Sequence, residues 1–218
     1  MGYACKLGNA GGDTLGDLKT KATYTEADML KILNNGWYYR IFVGSEVQLN
    51  NSTATTNIYQ IIDMNHDNTN NTVDLMRKYT VKDNVTFGQN QYYNNASSPR
   101  VWLNGDYYNG FSTDIKNHMQ TMAVAWNNTT LNDKVKLPSV TELAATIVKV
   151  EFSPIITEGN DYPLFKHVKN KGYWLRTFMN SAYSSNYNIS TCICSSEGSV
   201  VYVYYYNNTS IVPIFRLA

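Results

Sequence analysis

Charge is scarce in this sequence. Lys, Arg, Asp and Glu make up 16% of 218 residues, and the formal net charge is +1. A chain so nearly neutral carries no basic field for nucleic acid and no basic run for a membrane surface. Long apolar runs are missing too. None approaches the ~20 residues of a bilayer span, so membrane insertion is not expected. The first twenty residues lack an apolar core of signal-peptide length, which predicts synthesis in the cytoplasm without Sec export. Cysteine is limited to Cys5, Cys192 and Cys194. An odd count with one C-x-C does not make a disulfide framework. Cys192 and Cys194 would share one side of a strand, and their segment offers no further ligands for a metal. They read as small surface thiols made in a reducing compartment.

The stretch from Trp174 to Leu217 lacks the Asp, Glu, His or Lys cluster that acid–base catalysis needs. It opens on an aromatic and basic anchor, Tyr173-Trp174-Leu175-Arg176, and ends on an apolar one around Val212-Pro213-Ile214-Phe215. Between them lie mostly Asn, Ser, Thr, Tyr, Cys, Val and Ile. This is close to the composition of an antibody paratope, where Tyr supplies contact area at low entropy cost and Ser and Asn supply adaptable hydrogen bonds. From Asn180 to Ala218, Glu197 is the sole representative of Lys, Glu, Gln, Met and Trp, five types that total 35 residues in the chain. Those five cannot be reached from an AAC codon by changing its adenines. Asn, Tyr, Ser, Thr, Cys, Ile and Val can.

At this length a single core is feasible, burying roughly 70% of the unfolded surface. Residues 1–22 are Gly-rich and aperiodic and read as an arm. Thr25 and Asp28 resemble a capping box at the head of a short helix that Asn34-Asn35-Gly36 stops. Trp37–Leu49, Ile58–Met64 and Thr72–Tyr79 read as strands. Between the last two, Asp63, Asn65, Asp67, Thr69, Asn71 and Asp74 fall at the alternating positions of a calcium loop. Asn68 replaces the needed Gly and Asp74 the bidentate Glu; an Asn/Asp-rich hairpin turn is the simpler account. Val101, Trp102, Leu103, Tyr107, Phe111, Ile115, Met119 and Met122 recur at near-helical spacing. Gly105 and Gly110 break this into two short helices, the second capped by Ser112. After a short strand over Asp133–Pro138, Ser139 and Glu142 form another capping box. Residues 146–172 read as a loop.

Strands close the chain. Alternation over Tyr187–Cys194 puts Tyr187, Ile189 and Ile193 inward and Asn188, Ser190, Cys192 and Cys194 outward. Over Val201–Tyr206 it puts Val201, Val203 and Tyr205 on one side and Tyr202, Tyr204 and Tyr206 on the other. The second set reads either as sheet packing or as an exposed interface.

Trp102-Leu103-Asn104-Gly105 with Tyr107-Tyr108 and Phe111, then Asp133–Leu143, then Trp174-Leu175-Arg176, then Val212-Pro213, together resemble a phage and bacterial C-type-lectin-like domain. The resemblance covers roughly residues 55–218. It points to the formylglycine-generating-enzyme-like branch and to the variable proteins of diversity-generating retroelements. It departs at the end, where Ile211-Val212-Pro213-Ile214 stands for the usual Gly-Val-Arg-Pro-Ala. The resemblance implies an α+β, C-type-lectin-like fold with a mixed, mostly antiparallel sheet and two or more short helices. Residues 1–54 would lead into a ligand-binding domain over 55–218, with a variable region over 177–212.

The function so implied is a hypervariable receptor-binding protein, an adhesin and not an enzyme, without cofactor or metal. It would act at a phage tail tip or on a bacterial cell surface. The partner would be a host-surface protein or glycan. Assembly into a trimer, or with other virion tail proteins, fits the same picture. Ligand-binding positions would be Met179, Asn180, Ser181, Tyr183, Ser184, Asn186, Asn188, Ser190, Cys192, Cys194, Tyr202, Tyr204, Tyr206, Asn207, Asn208 and Ser210. Trp102, Leu103, Trp174, Leu175, Arg176 and Pro213 would be structural anchors, with Trp102 and Trp174 largely buried. A structural tail-tip or baseplate protein is the alternative. A formylglycine-type oxidase is a remote one.

Overall fold

The computed structural model describes residues 23–87, 99–126, 129–143, 162, 171–178, 189–196, 200–204 and 208–218; for residues 178, 189–192 and 201–204 it describes the backbone alone. The fold is α+β, built on mostly antiparallel sheets with a few short helices. The arm over 1–22 and nearly all of the 146–172 loop lie outside the described residues.

Helix α1 spans Glu26–Asn35. Its first turn is closed as the sequence predicts: the Thr25 hydroxyl accepts from the Asp28 amide, and the Asp28 carboxylate accepts from the Thr25 amide. Gly36 terminates it in the left-handed region at φ +65°, a conformation that costs an L side chain and leaves glycine free. The face of α1 carrying Met29, Ile32 and Leu33 is buried.

The larger sheet contains β1 (Thr23–Thr25), β2 (Glu46–Gln48), β3 (Ile58–Met64), β4 (Val73–Arg77), β8 (Val135–Lys136) and β13 (Ile214–Leu217). Their order is β1-β2-β3-β4-β13-β8; β1 and β2 are parallel and the other pairs antiparallel. The C-terminal strand thus sits inside the sheet rather than with its sequence neighbours. Alternation sorts the two faces. Tyr59, Ile61, Val73, Leu75, Phe215 and Leu217 join α1 in the first hydrophobic cluster. Ile62, Met76 and Ile214 join the second, with Tyr162, Tyr173, Leu175, Cys194 and Val200. Asp74 and Arg216 pair across the ladder and meet as an ion pair at 2.6 Å.

The smaller sheet contains β5 (Lys82–Val85), β9 (Tyr173–Phe178), β10 (Ile189–Cys194), β11 (Val200–Tyr204) and β12 (Thr209–Ile211). Its order is β11-β10-β9-β12-β5, with β12 and β9 parallel. A hairpin of β6 (Met122–Trp126) and β7 (Thr129–Asp133) stands apart from both.

Several expectations need correction. The strand expected over Trp37–Leu49 is confined to Glu46–Gln48. Tyr38–Arg40 is a 3₁₀ turn, and Tyr39 and Phe42 are 58% and 62% exposed. Gly105 does not break the helix. α2 (Pro99–Trp102) runs on into a wider π-helical turn over Leu103–Tyr107. The apolar stripe leaves the helix before Met122, which opens β6; Ser112 does cap α3 (Thr113–His118). β1 and β2, ahead of residue 55, are strands of the larger sheet, and Val47 and Leu49 lie in the first cluster. β13 belongs to the larger sheet, not to the sheet of its C-terminal neighbours.

Candidate binding site

The sequence-predicted recognition positions fall into three groups. Met179, Asn180, Ser181, Tyr183, Ser184, Asn186, Asn188, Tyr206 and Asn207 lie outside the described residues. Ser190, Cys192, Tyr202 and Tyr204 have known backbone positions: Cys192 pairs with Tyr202, and Ile189 with Tyr204. The remaining three have described side chains. Asn208 is exposed. Cys194 and Ser210 are buried, at 1% and 6% exposure, and drop out of any surface.

The physical reason for Cys194 is local. Register shifts between Ile189 and Thr191, and between Thr191 and Ile193, interrupt the strict alternation of β10. At its end both faces are covered: Ile193 packs, half-buried, against the first cluster and Cys194 lies in the second. Burial pushes the Cys194 thiol above its ordinary pKa, offset in part by Tyr173. A raised thiol pKa makes a poor nucleophile or metal ligand. Ser210 is covered because β12 lies between β9 and β5, and its hydroxyl donates to the Asp83 carboxylate at 2.7 Å.

Beneath these strands lies a network of buried charge. Arg176, at the middle of β9, donates to both Glu142 oxygens at 2.7 Å. It also donates to the carbonyls of Leu137 (2.5 Å) and Ala125 (3.2 Å). Lys136 reaches the same carboxylate at 2.7 Å. The predicted capping box is present: the Ser139 amide donates to Glu142 Oε2 and the Glu142 amide to Ser139 Oγ. Burial alone would raise the Glu142 carboxyl, but Arg176 and Lys136 outweigh it and hold the pKa at about 2. With both oxygens engaged, Glu142 stays ionised at neutral pH. It is therefore a strut rather than a proton donor. Thr177 accepts from the Val140 amide at 2.7 Å, so β9 is tied to this turn at two consecutive residues.

A second network adjoins it. Arg216 grips Asp74 through Nε (2.6 Å) and Nη2 (2.8 Å) and reaches Asp67 at 3.3 Å. Burial would lower the Arg216 pKa, but Asp74 more than offsets this. The Tyr162 hydroxyl donates to Asp74 at 3.0 Å; its ring stacks on His66, with centroids 4.1 Å apart, and lies 5.3 Å from Lys136 Nζ. A cleft of about 400 Å³ opens against both networks, with Lys136, Glu142, Arg176 and Arg216 in its walls. Each of these groups already holds a partner inside the fold.

The carboxylates of the supposed calcium loop are divided between two different partners, His66 and Arg216. Asp63 faces His66 at 2.6 Å, while Asp67 and Asp74 face Arg216. Among the described residues no group of three or more His, Cys, Asp or Glu side chains is arranged for a metal.

The anchors divide as well. Leu103, Trp174, Leu175 and Arg176 are fully buried or nearly so, and Pro213 is buried. Trp174 donates from Nε1 to the Val85 carbonyl at 2.6 Å and meets Phe87 edge-on at 5.3 Å. Trp102 is half-buried, packed on Tyr107 with Lys82 Nζ 4.8 Å from its ring. The Asp74–Arg216 pair was missed from sequence. Its signal is a charge of each sign inside short apolar strands, in Val73-Asp74-Leu75-Met76 and in Ile214-Phe215-Arg216-Leu217.

No curated protein and no solved structure matches the chain. A family model does, over residues 70–218, from just before β4 to the last residue; β1 to β3 and α1 precede the match. The chain belongs to the family described as "Domain of unknown function (DUF6273)".

Proposed function

We propose that the chain is a receptor-binding protein with a C-type-lectin-like fold, displaying a Tyr-, Asn- and Ser-rich recognition surface from its C-terminal strands. The observation that carries this reading is a division within that segment. Its flanks are locked: Tyr173–Thr177 and Ser210–Leu217 are buried throughout. The residues between them carry the paratope-like composition. Rigid flanks spare a recognition surface part of the ordering cost of binding. The partner would be a host-surface protein or glycan, met at a phage tail tip or a bacterial surface. The α+β architecture and mostly antiparallel sheets are compatible with the lectin-like fold.

A second reading has one observation in its favour. β11 is one of the two edge strands of the smaller sheet among the described strands. An edge strand offers backbone groups on which a neighbouring subunit could add a strand. This would suit a structural tail-tip or baseplate protein.

A library randomised at Tyr183, Asn186, Asn188, Ser190, Tyr202, Tyr204 and Tyr206 separates the two. Each member would be scored for thermal midpoint and for binding to host cells. The receptor-binding reading expects most members to stay folded while ligand choice changes. If most unfold, these positions are core. If all fold and bind alike, the contact surface lies elsewhere and the tail-tip reading gains.

A further inference from the structure

A second cavity lies beside β4. A groove of about 590 Å³ runs between the loop that follows β2 and the segment leaving β4. That volume lies within the range of small-molecule sites. Thr53, Thr55, Thr56, Tyr79 and Thr80 line it, together with Arg77 and three aliphatic residues. Arg77 is 2% exposed.

The charge of Arg77 is answered only by neutral groups. Nη1 donates to Asn57 Oδ1 (3.1 Å), Tyr59 Oη (3.3 Å) and Tyr107 Oη (3.5 Å), and Nη2 donates to the Thr56 carbonyl. The Nε proton has no acceptor among the described residues. The two tyrosines supply no negative charge. Burial pushes both hydroxyls above their ordinary pKa and outweighs the opposing pull of Arg77. Among the described residues no carboxylate forms an ion pair with this guanidinium, whereas Arg100, Arg176 and Arg216 each hold one. Buried charge is ordinarily paired, because an unpaired ion forfeits its hydration without replacement. The missing counter-ion and the adjoining groove point to a ligand that brings its own anion.

The walls narrow the class. Threonine hydroxyls both donate and accept, which suits a polyol. Tyr79 is 45% exposed and offers ring surface to the apolar face of a sugar. We propose that this groove binds an acidic saccharide, with the sugar carboxylate against Arg77 and the ring between Tyr79 and the threonines. The groove is lined by residues 53–81 and includes none of the recognition positions expected on the C-terminal strands.

The test is calorimetric titration of the full chain with glucuronate, N-acetylneuraminate, glucose and inorganic phosphate. Thr55→Trp is the blocking variant, because Thr55 is exposed on the groove wall and takes no part in holding Arg77. Saturable binding of at least one acidic sugar is expected, with none for glucose. Thr55→Trp should weaken it about tenfold or more, equivalent to about 1.4 kcal/mol, at an unchanged unfolding midpoint. Arg77→Lys should weaken it too, because a point charge replaces a planar fork. Absence of saturable heat with both acidic sugars overturns the proposal. Phosphate binding as tightly as the sugars overturns its saccharide part. Undiminished binding in a folded Thr55→Trp protein removes the groove as the site.

Discussion

Glu142→Gln is the substitution that most sharply examines the buried network. Gln keeps the shape of the side chain and stands in for the protonated acid. It leaves Arg176 and Lys136, both buried, without their common counter-ion. The carboxyl pKa is held at about 2 against an ordinary 4.5. At 1.36 kcal/mol per unit, that depression amounts to about 3 kcal/mol. The sign follows from linkage: a carboxyl whose folded pKa is depressed stabilises the fold above the unfolded value and loses that contribution as pH falls through the folded one. The variant should therefore be about 3 kcal/mol less stable than the parent at pH 7, within the range for breaking buried ion pairs. The gap should shrink to about 1.4 kcal/mol near pH 3 and go on closing below it. Urea denaturation of both proteins across pH 7 to pH 3 reads this directly. A cost under about 1 kcal/mol at pH 7, the scale of a surface pair, would refute the reasoning. So would a gap that does not change with pH.

Two further outcomes follow from the fold. Trp174→Ala should cost about 3–5 kcal/mol, because a fully buried indole and its hydrogen bond to Val85 are lost together; Trp102→Ala should cost clearly less, since that ring is half-buried, and equal denaturation midpoints would contradict the ranking. Gly36→Ala should destabilise by about 1–2 kcal/mol from its left-handed backbone alone. No atom lies within 4 Å of the added methyl, so an unchanged thermal midpoint would show that the C-cap of α1 relaxes.

Local chemistry was legible in the sequence where it is self-contained. The reciprocal bonds of Thr25 with Asp28 and of Ser139 with Glu142, and the Ser112 cap, need only neighbours in the chain. The β3 strand over Ile58–Met64 stands where its apolar run predicted. Long-range pairing was not legible. β13 enters the larger sheet between β4 and β8, a choice set by Phe215 and Leu217 joining the first cluster and Arg216 meeting Asp74. The aromatic run from Trp37 to Val43 looked like a strand but forms a turn in which Arg40 lies 4.1 Å from the Trp37 ring. A period-2 reading of β10 could not foresee that both faces are covered at its end, where Ile193 packs on the first cluster and Cys194 lies buried in the second. At the candidate site, Arg176 was recognisable as an anchor, but its purpose was not. Only the fold brings Glu142 and Lys136 to it from a separate segment.

The central proposal is that a locked scaffold carries a varied C-terminal recognition surface. Deep sequencing of this coding region within one natural population tests it most directly. The account predicts substitutions concentrated between residues 179 and 208 and confined to adenine positions of the codons, with Trp174, Leu175, Arg176, Pro213 and Phe215 unchanged. Substitutions spread evenly along the chain, or concentrated in the buried strands, would contradict it.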